Sequence, residues 1–136
     1  MEEKAKQYLI EMYKEQNFDL ASKDWHDSVL VDFKGIYKRN GTVVEDDGLI
    51  NQIKNDFNRF YKKRKNFEIL NFESDTSSVG NNQLLICRYT FKEEDEGHPF
   101  TSKSYIYFVF DKQKQDWKVW DFRVPAILGD STEWMK

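Results

Sequence analysis

Residues 100–110 read FTSKSYIYFVF, and this stretch decides the fold class. Aromatic and β-branched residues follow one another along it, which is typical of a β-strand. Three further runs of this kind occupy the second half of the chain, so the sequence predicts a sheet of long antiparallel strands. The predicted strands cover residues 67–73, 83–92, 100–110 and 117–124, with turns at 80–82, 93–97 and 111–116.

The predicted strand at 100–110 is apolar on both faces. One face carries Tyr105, Tyr107 and Val109, and the other carries Ile106, Phe108 and Phe110. A sheet face that meets only water is normally polar, so the second face is expected to meet another subunit or a tail. The apolar tail at 127–135 could provide part of that contact. The sequence therefore predicts a homodimer formed through the sheet face.

The first half of the chain shows helical spacing followed by a strand-like run. Apolar residues at helical intervals predict a first helix over residues 2–16; they are Ala5, Tyr8, Leu9 and Met12. Asp19 is expected to cap a short second helix that ends near Trp25. Residues 29–33 (VLVDF) are β-branched and predict a strand, and Asn40-Gly41 predicts a tight hairpin turn after it.

A long helix is predicted to begin at Asp46-Asp47-Gly48, because acidic residues suit the positive end of a helix dipole. Its apolar stripe consists of Leu49, Ile50, Ile53, Phe57, Phe60 and Tyr61. The basic run at 62–65 suits its negative end. Helices followed by long strands place the chain in the α+β class.

The composition favours one globular domain over residues 1–136. Aromatic residues make up 16% of the chain, which suffices for a core although 33% of residues are charged. A net charge of −3 argues against general nucleic-acid binding. Cys87 is the one cysteine and is expected in the core. No apolar signal core or membrane span is evident, so a cytoplasmic protein without a membrane partner is predicted.

Several segments resemble the nuclear transport factor 2-like (SnoaL-like) superfamily. Tyr8-Leu9, the run NFDL at 17–20 and the run WHDSVLVD at 25–32 resemble its opening. The run WKVWDFRV at 117–124 resembles its last strand. The resemblance covers nearly the whole chain. It implies a curved antiparallel sheet wrapped around N-terminal helices, forming a cone with a pocket.

The superfamily includes ketosteroid isomerases, polyketide cyclases, dehydratases and limonene-epoxide hydrolases, as well as modules without catalysis, so fold alone does not define function. The hydrolases use an acid–arginine–acid relay, whose matching positions here are Arg88 and Asp121. The second acid would fall at Thr90, which argues against hydrolysis. The alternative interpretations are a solvated cross-strand pair, or a bridge between Arg88 and Asp121 that only orders the sheet.

The resemblance to the isomerases implies Tyr8 and Asp32 as candidate catalytic residues. No acid precedes Asp111 on the strand that would supply their third group. The resemblance to the cyclases and dehydratases implies His26 as an acid or base. The alternatives are that Tyr8 belongs to the core and that His26 caps a helix.

Two hypotheses for function remain open. In the first, the cone pocket binds or transforms a small apolar ligand, by isomerase, cyclase or dehydratase chemistry, without a cofactor. In the second, the chain is a non-catalytic dimerisation or protein-interaction module. A metal site is not expected, because His26 and His98 are the only histidines and neither has an acid at ligand spacing.

Overall fold

The computed structural model describes residues 1–122, with side chains described for residues 1–120. The helices are α1 (Glu2–Leu9), α2 (Phe18–Ala21), α3 (Asp27–Arg39) and α4 (Leu49–Tyr61). The strands are β1 (Arg64–Val79), β2 (Asn82–Asp95), β3 (His98–Asp111) and β4 (Asp116–Phe122). The α+β class is thus confirmed. No helix among these has the length and apolar run needed to cross a membrane.

The first predicted helix is confirmed, and the residues of its apolar stripe are buried: Ala5, Tyr8, Leu9 and Met12. The helix widens into a π-helical turn at Ile10–Lys14. Gln16 then adopts a positive φ of 53°, and its side-chain amide donates to the carbonyl oxygens of Tyr61 (3.1 Å) and Arg64 (2.8 Å). These bonds join the end of the first helix to the start of the sheet.

The strand predicted at residues 29–33 and the hairpin after it are wrong. These residues lie within α3, which buries Val29, Phe33 and Tyr37 at intervals of one helical turn. Burial of this stripe outweighs the strand preference of the β-branched residues. Asn40 and Gly41 end the helix: Gly41 has a φ of 81°, and its N–H donates to the carbonyl of Lys38.

The predicted long helix is confirmed as α4, which follows a short 3₁₀ turn at Asp46–Gly48. The predicted cap of α2 is wrong, because the side chain of Asn17 accepts from the N–H of Leu20 (3.2 Å). Asp19 instead accepts from the Lys54 ammonium group (2.7 Å) and so ties α2 to α4.

The four strands form one curved, unclosed antiparallel sheet in the order β1-β2-β3-β4. β1 is longer than the sequence predicts, because residues 74–79 continue to pair with β2. The strands predicted at 83–92 and 100–110 are confirmed within β2 and β3. Of the predicted strand at 117–124, residues 123 and 124 lie outside the described residues, as does the tail at 127–135.

One face of the sheet packs against the helices and forms the core. On β2 this face carries Leu85, Cys87, Tyr89 and Phe91, all buried. Burial raises the pKa of the Cys87 thiol to about 12, so the thiolate needed for nucleophilic chemistry does not form near neutral pH. The prediction that Cys87 belongs to the core is confirmed.

The opposite face, here called the outer face, is apolar in part. Ile86, Tyr105 and Tyr107 are partly exposed on it, and the two tyrosine rings lie 4.9 Å apart between centroids. Leu84 and Val109 face each other across β2 and β3 on this side, and both are buried although neither belongs to the helix-side core. The apolar character predicted for both faces of β3 is confirmed.

Candidate functional site

Tyr8 is a core residue. It is 1% exposed, its ring packs edge-to-face on Phe108, and its hydroxyl oxygen accepts from Trp25 Nε1 at 2.8 Å. Burial raises the pKa of the Tyr8 hydroxyl far above its ordinary value, because no solvent stabilises the phenolate. The hydroxyl stays protonated at all physiological pH values.

Asp32 and Arg88 are both exposed, unlike the buried Tyr8. Asp32 is exposed on α3, because the strand expected to carry it is a helix. Arg88 lies exposed on the outer face, where its guanidinium donates to Asp75 Oδ2 at 3.2 Å. Arg88 therefore forms an exposed cross-strand ion pair with Asp75, and such pairs contribute little to the free energy of folding.

Asp121 lies on β4 opposite Tyr107, and its side chain falls outside the described ones. Val119 lies opposite Phe108, so the register shifts between the two pairs. Strict alternation along the strand would place Val119 and Asp121 on one face, and this bulge breaks that alternation.

His26 is the N-cap of α3. Its Nδ1 accepts from the N–H of Ser28 (3.2 Å) and lies 2.8 Å from Ser28 Oγ. The His26 backbone N–H donates to the carbonyl of Val119 (2.8 Å), which holds this residue against β4. The capping interpretation is confirmed, and the cap also orients the ring: since Nδ1 accepts, the neutral imidazole carries its proton on Nε2.

His26 Nε2 faces Asp111, the last residue of β3. The Nε2–Oδ2 distance is 3.9 Å, and the two side chains are 31% and 11% exposed. Asp111 Oδ1 accepts from the backbone N–H groups of Gln113 (3.0 Å) and Lys114 (3.2 Å), so the carboxyl group is fixed by the β3–β4 turn. Two titratable groups from distant parts of the sequence thus meet at one end of the sheet.

These two residues border a cleft of about 290 Å³, here called the His26 cleft. Its apolar lining consists of Val79, Leu84, Val109, Phe110 and Trp120, and its polar lining of His26, Asn82, Asp111, Lys112 and Gln113. Apolar walls with a few oriented polar groups are the usual composition of a small-molecule site. The cleft is formed at the end of the sheet and partly by the outer face.

A buried carboxyl group, that of Glu93, lies elsewhere in the sheet. Glu93 on β2 is 1% exposed; its Oε1 accepts from Arg64 Nη1 at 3.1 Å, and its Oε2 has no hydrogen-bond partner within the described part of the chain. Burial raises the pKa of the Glu93 carboxyl, and the hydrogen bond from Arg64 opposes that rise. The Arg64 guanidinium lies 4.9 Å from the ring centroids of both Phe60 and Phe100.

Among the described side chains, those of residues 1–120, no group of three histidine, cysteine or acidic residues lies close enough together to hold a metal ion. Among the candidate catalytic residues whose side chains the structure describes, only His26 borders the cleft. In the sequence, Asp111 is only the first acid after the 100–110 strand. Nothing in its spacing from His26 predicts that the two side chains lie close together. No family model, curated protein or solved structure matches the chain.

Proposed function

We propose that the His26 cleft binds a small molecule with an apolar body and one polar group, and that His26 and Asp111 engage that polar group. The observation that carries this proposal is the titratable pair at the border of an apolar-walled cleft. Such a pair in a concave site is a frequent signature of binding or acid–base chemistry. The volume of about 290 Å³ suits a ligand at the small end of the usual range.

The proposed chemistry is proton transfer at a group bound beside His26. The neutral His26 ring carries its proton on Nε2, so it can donate an Nε2–H hydrogen bond to a substrate oxygen. The Asp111 carboxylate beside it can accept the proton that the substrate releases. Isomerase, cyclase and dehydratase reactions each need such a step, so the geometry supports this group of reactions without choosing among them.

Membership of the nuclear transport factor 2-like superfamily is part of the same proposal. Helices followed by a curved antiparallel sheet that packs around them support it. One difference weighs against membership. The strand expected at 29–33 is absent from the described fold, because these residues belong to α3.

The cleft is tested by a ligand-observed NMR screen of small ring compounds, followed by titration of the hits. Val79 lines the cleft and is 54% exposed, so Val79→Trp fills the cleft without disturbing the core. We expect it to weaken every specific hit by about tenfold or more, since the ligand and the indole compete for the same volume. Val31→Trp, at a position 70% exposed on α3, is the matched control and should leave binding unchanged.

The polar pair is tested separately from the cleft volume. His26→Asn keeps a side-chain acceptor for the helix cap, and Asp111→Asn keeps an oxygen for the turn. Both should weaken hits that carry a polar group by about tenfold and leave purely apolar hits unaffected. Hits that bind Val79→Trp and wild type equally would place the site elsewhere and remove the proposal.

The second candidate function is dimerisation through the outer face. It is favoured by the partly exposed apolar row of Ile86, Tyr105 and Tyr107 at the centre of the sheet. We expect a concentration-dependent dimer in sedimentation equilibrium, with a dissociation constant that Tyr107→Lys raises by about tenfold or more. Val43→Lys, at a loop position 92% exposed, should leave it unchanged. A monomer at the highest concentrations would exclude this function.

A further inference from the structure

β1 is an edge strand of the sheet. It pairs with β2 along one side, and within residues 1–122 no backbone hydrogen bond joins residues 66–72 to any other element. An edge strand of this kind presents unpaired N–H and C=O groups to whatever lies beside it. The backbone of β1 therefore retains the capacity to pair with one further strand.

A groove of about 690 Å³ runs beside this edge. Every residue from 66 to 72 lines one wall, and the other wall consists of Lys6, Ile10 and Lys14 from the first helix. Side chains of a regular strand alternate between its two faces, but two bulges break that alternation here, between Lys65 and Glu68 and between Ile69 and Asn71. The consecutive run can therefore line a single groove beside the edge.

The walls combine apolar surface with two lysines, Lys6 and Lys14, and one acid, Glu68, so the lining carries a net positive charge. Leu70 is 50% exposed, and Ile10 and Phe72 are partly exposed. Lys6 and Lys14 lie two helical turns apart, on either side of Ile10. Lys6 lies 5.3 Å above the Phe72 ring and 3.8 Å from Glu2, whereas Lys14 has no ion pair with any described residue. A ligand with negative charge and apolar side chains would complement this surface.

The helical wall is formed by an unusual turn. Ile10 and Lys14 are the first and last residues of the π-helical turn, a form that occurs mostly as single turns and frequently at functional sites. Across the groove, β1 carries two bulges, between Lys65 and Glu68 and between Ile69 and Asn71. Bulges bend and twist an edge, which opposes pairing with a long flat strand such as a second β1 and favours a short segment.

We propose that this groove binds a short extended segment of a partner protein, in which acidic residues alternate with apolar ones, by addition of a strand to the edge of β1. Main-chain hydrogen bonds to residues 66–72 supply sequence-independent affinity. The apolar side chains pack on Ile10 and Leu70, and the acidic ones lie beside Lys6 and Lys14. This site is distinct from the His26 cleft, so either proposal can fail while the other stands.

The experiment is a fluorescence-anisotropy titration of the full chain with a labelled synthetic peptide of alternating valine and glutamate. The counterpart with lysine in place of glutamate tests the charge requirement. We expect the glutamate peptide to bind about tenfold or more tightly than the lysine peptide at low ionic strength, with a difference that shrinks as salt is added. Hydrogen exchange should show new amide protection within residues 66–72 when the glutamate peptide is bound.

Charge-reversal variants locate the contact. Lys6→Glu combined with Lys14→Glu should weaken the glutamate peptide by about tenfold or more. Lys38→Glu combined with Lys103→Glu changes the net charge equally at exposed positions on α3 and the outer face, and should alter binding by less than about twofold. Circular dichroism should show that both double variants fold, because all four lysines are exposed or partly exposed.

Three results would overturn the proposal. The first is equal affinity for the two peptides, or no binding of either. The second is peptide-induced protection confined to segments other than 66–72. The third is protection of 66–72 that appears with rising protein concentration in the absence of peptide, which would assign the edge to a second copy of this chain.

Discussion

Arg64→Met is expected to lower the free energy of unfolding by about 2–4 kcal/mol at neutral pH, because it leaves the buried Glu93 carboxylate without its charged partner. Arg64 Nη1 donates to Glu93 Oε1, and Glu93 is 1% exposed. Methionine keeps an apolar stem between Phe60 and Phe100, so the loss reports mainly on the charge. Urea unfolding followed by tryptophan fluorescence measures it.

The loss should depend on pH in a defined direction. The folded-state pKa of Glu93 is raised above the ordinary value of 4.5 by burial, so the folded chain holds a proton there that the unfolded chain releases. Stability from this group is fully present below about pH 4.5 and declines as pH rises through the folded-state pKa. Removal of Arg64 raises that pKa further, so the gap between wild type and Arg64→Met should widen from about pH 5 to about pH 7.5.

Two further variants separate this explanation from a general loss of packing. Adding Glu93→Met to Arg64→Met should recover most of the lost stability, because a buried apolar pair replaces the unpaired charge. Arg59→Met removes a guanidinium that is 78% exposed and pairs with Asp56, so it should cost less than about 1 kcal/mol. An Arg64→Met loss that is the same at both pH values would contradict the buried-charge explanation.

Phe57→Ala is expected to destabilise the chain by about 3–5 kcal/mol. Phe57 is 1% exposed on α4. Its ring packs against three other aromatic rings, with centroid distances of 6.3 Å to Tyr13, 5.7 Å to Phe18 and 4.5 Å to Tyr61. Truncation removes the transfer free energy of the ring and leaves a cavity that rigid neighbours cannot fill. Thermal and urea unfolding measure the loss.

The control for this prediction is Val31→Ala. Val31 is 70% exposed on α3, so removal of its side chain should change stability by less than about 0.5 kcal/mol. If Phe57→Ala costs no more than this surface change, the aromatic cluster is not part of a tightly packed core. That outcome would also argue against tight packing of α4 on the first helix.

Two residues, His26 and Asp111, show how much of the candidate site the sequence predicts. The resemblance to the cyclases and dehydratases predicts His26 as an acid or base, with helix capping as the alternative, and the structure confirms the capping role. Asp111 offered no such signal, because its relevance depends on a contact between the β3–β4 turn and the start of α3. Contacts between distant segments depend on the tertiary fold, which local spacing does not encode.

The sequence by itself determined the elements whose periodicity is local and unambiguous. The stripe of Ala5, Tyr8, Leu9 and Met12, the strands around Cys87 and Ile106, and the helix through Phe57 follow directly from side-chain spacing. The tertiary structure decided the state of residues 29–33, whose β-branched side chains favour a strand but whose one-turn spacing of Val29 and Phe33 allows burial as a helix. It also decided where Glu93, Asp111 and the edge of β1 lie, because burial, pairing and edge position arise only when distant segments pack together.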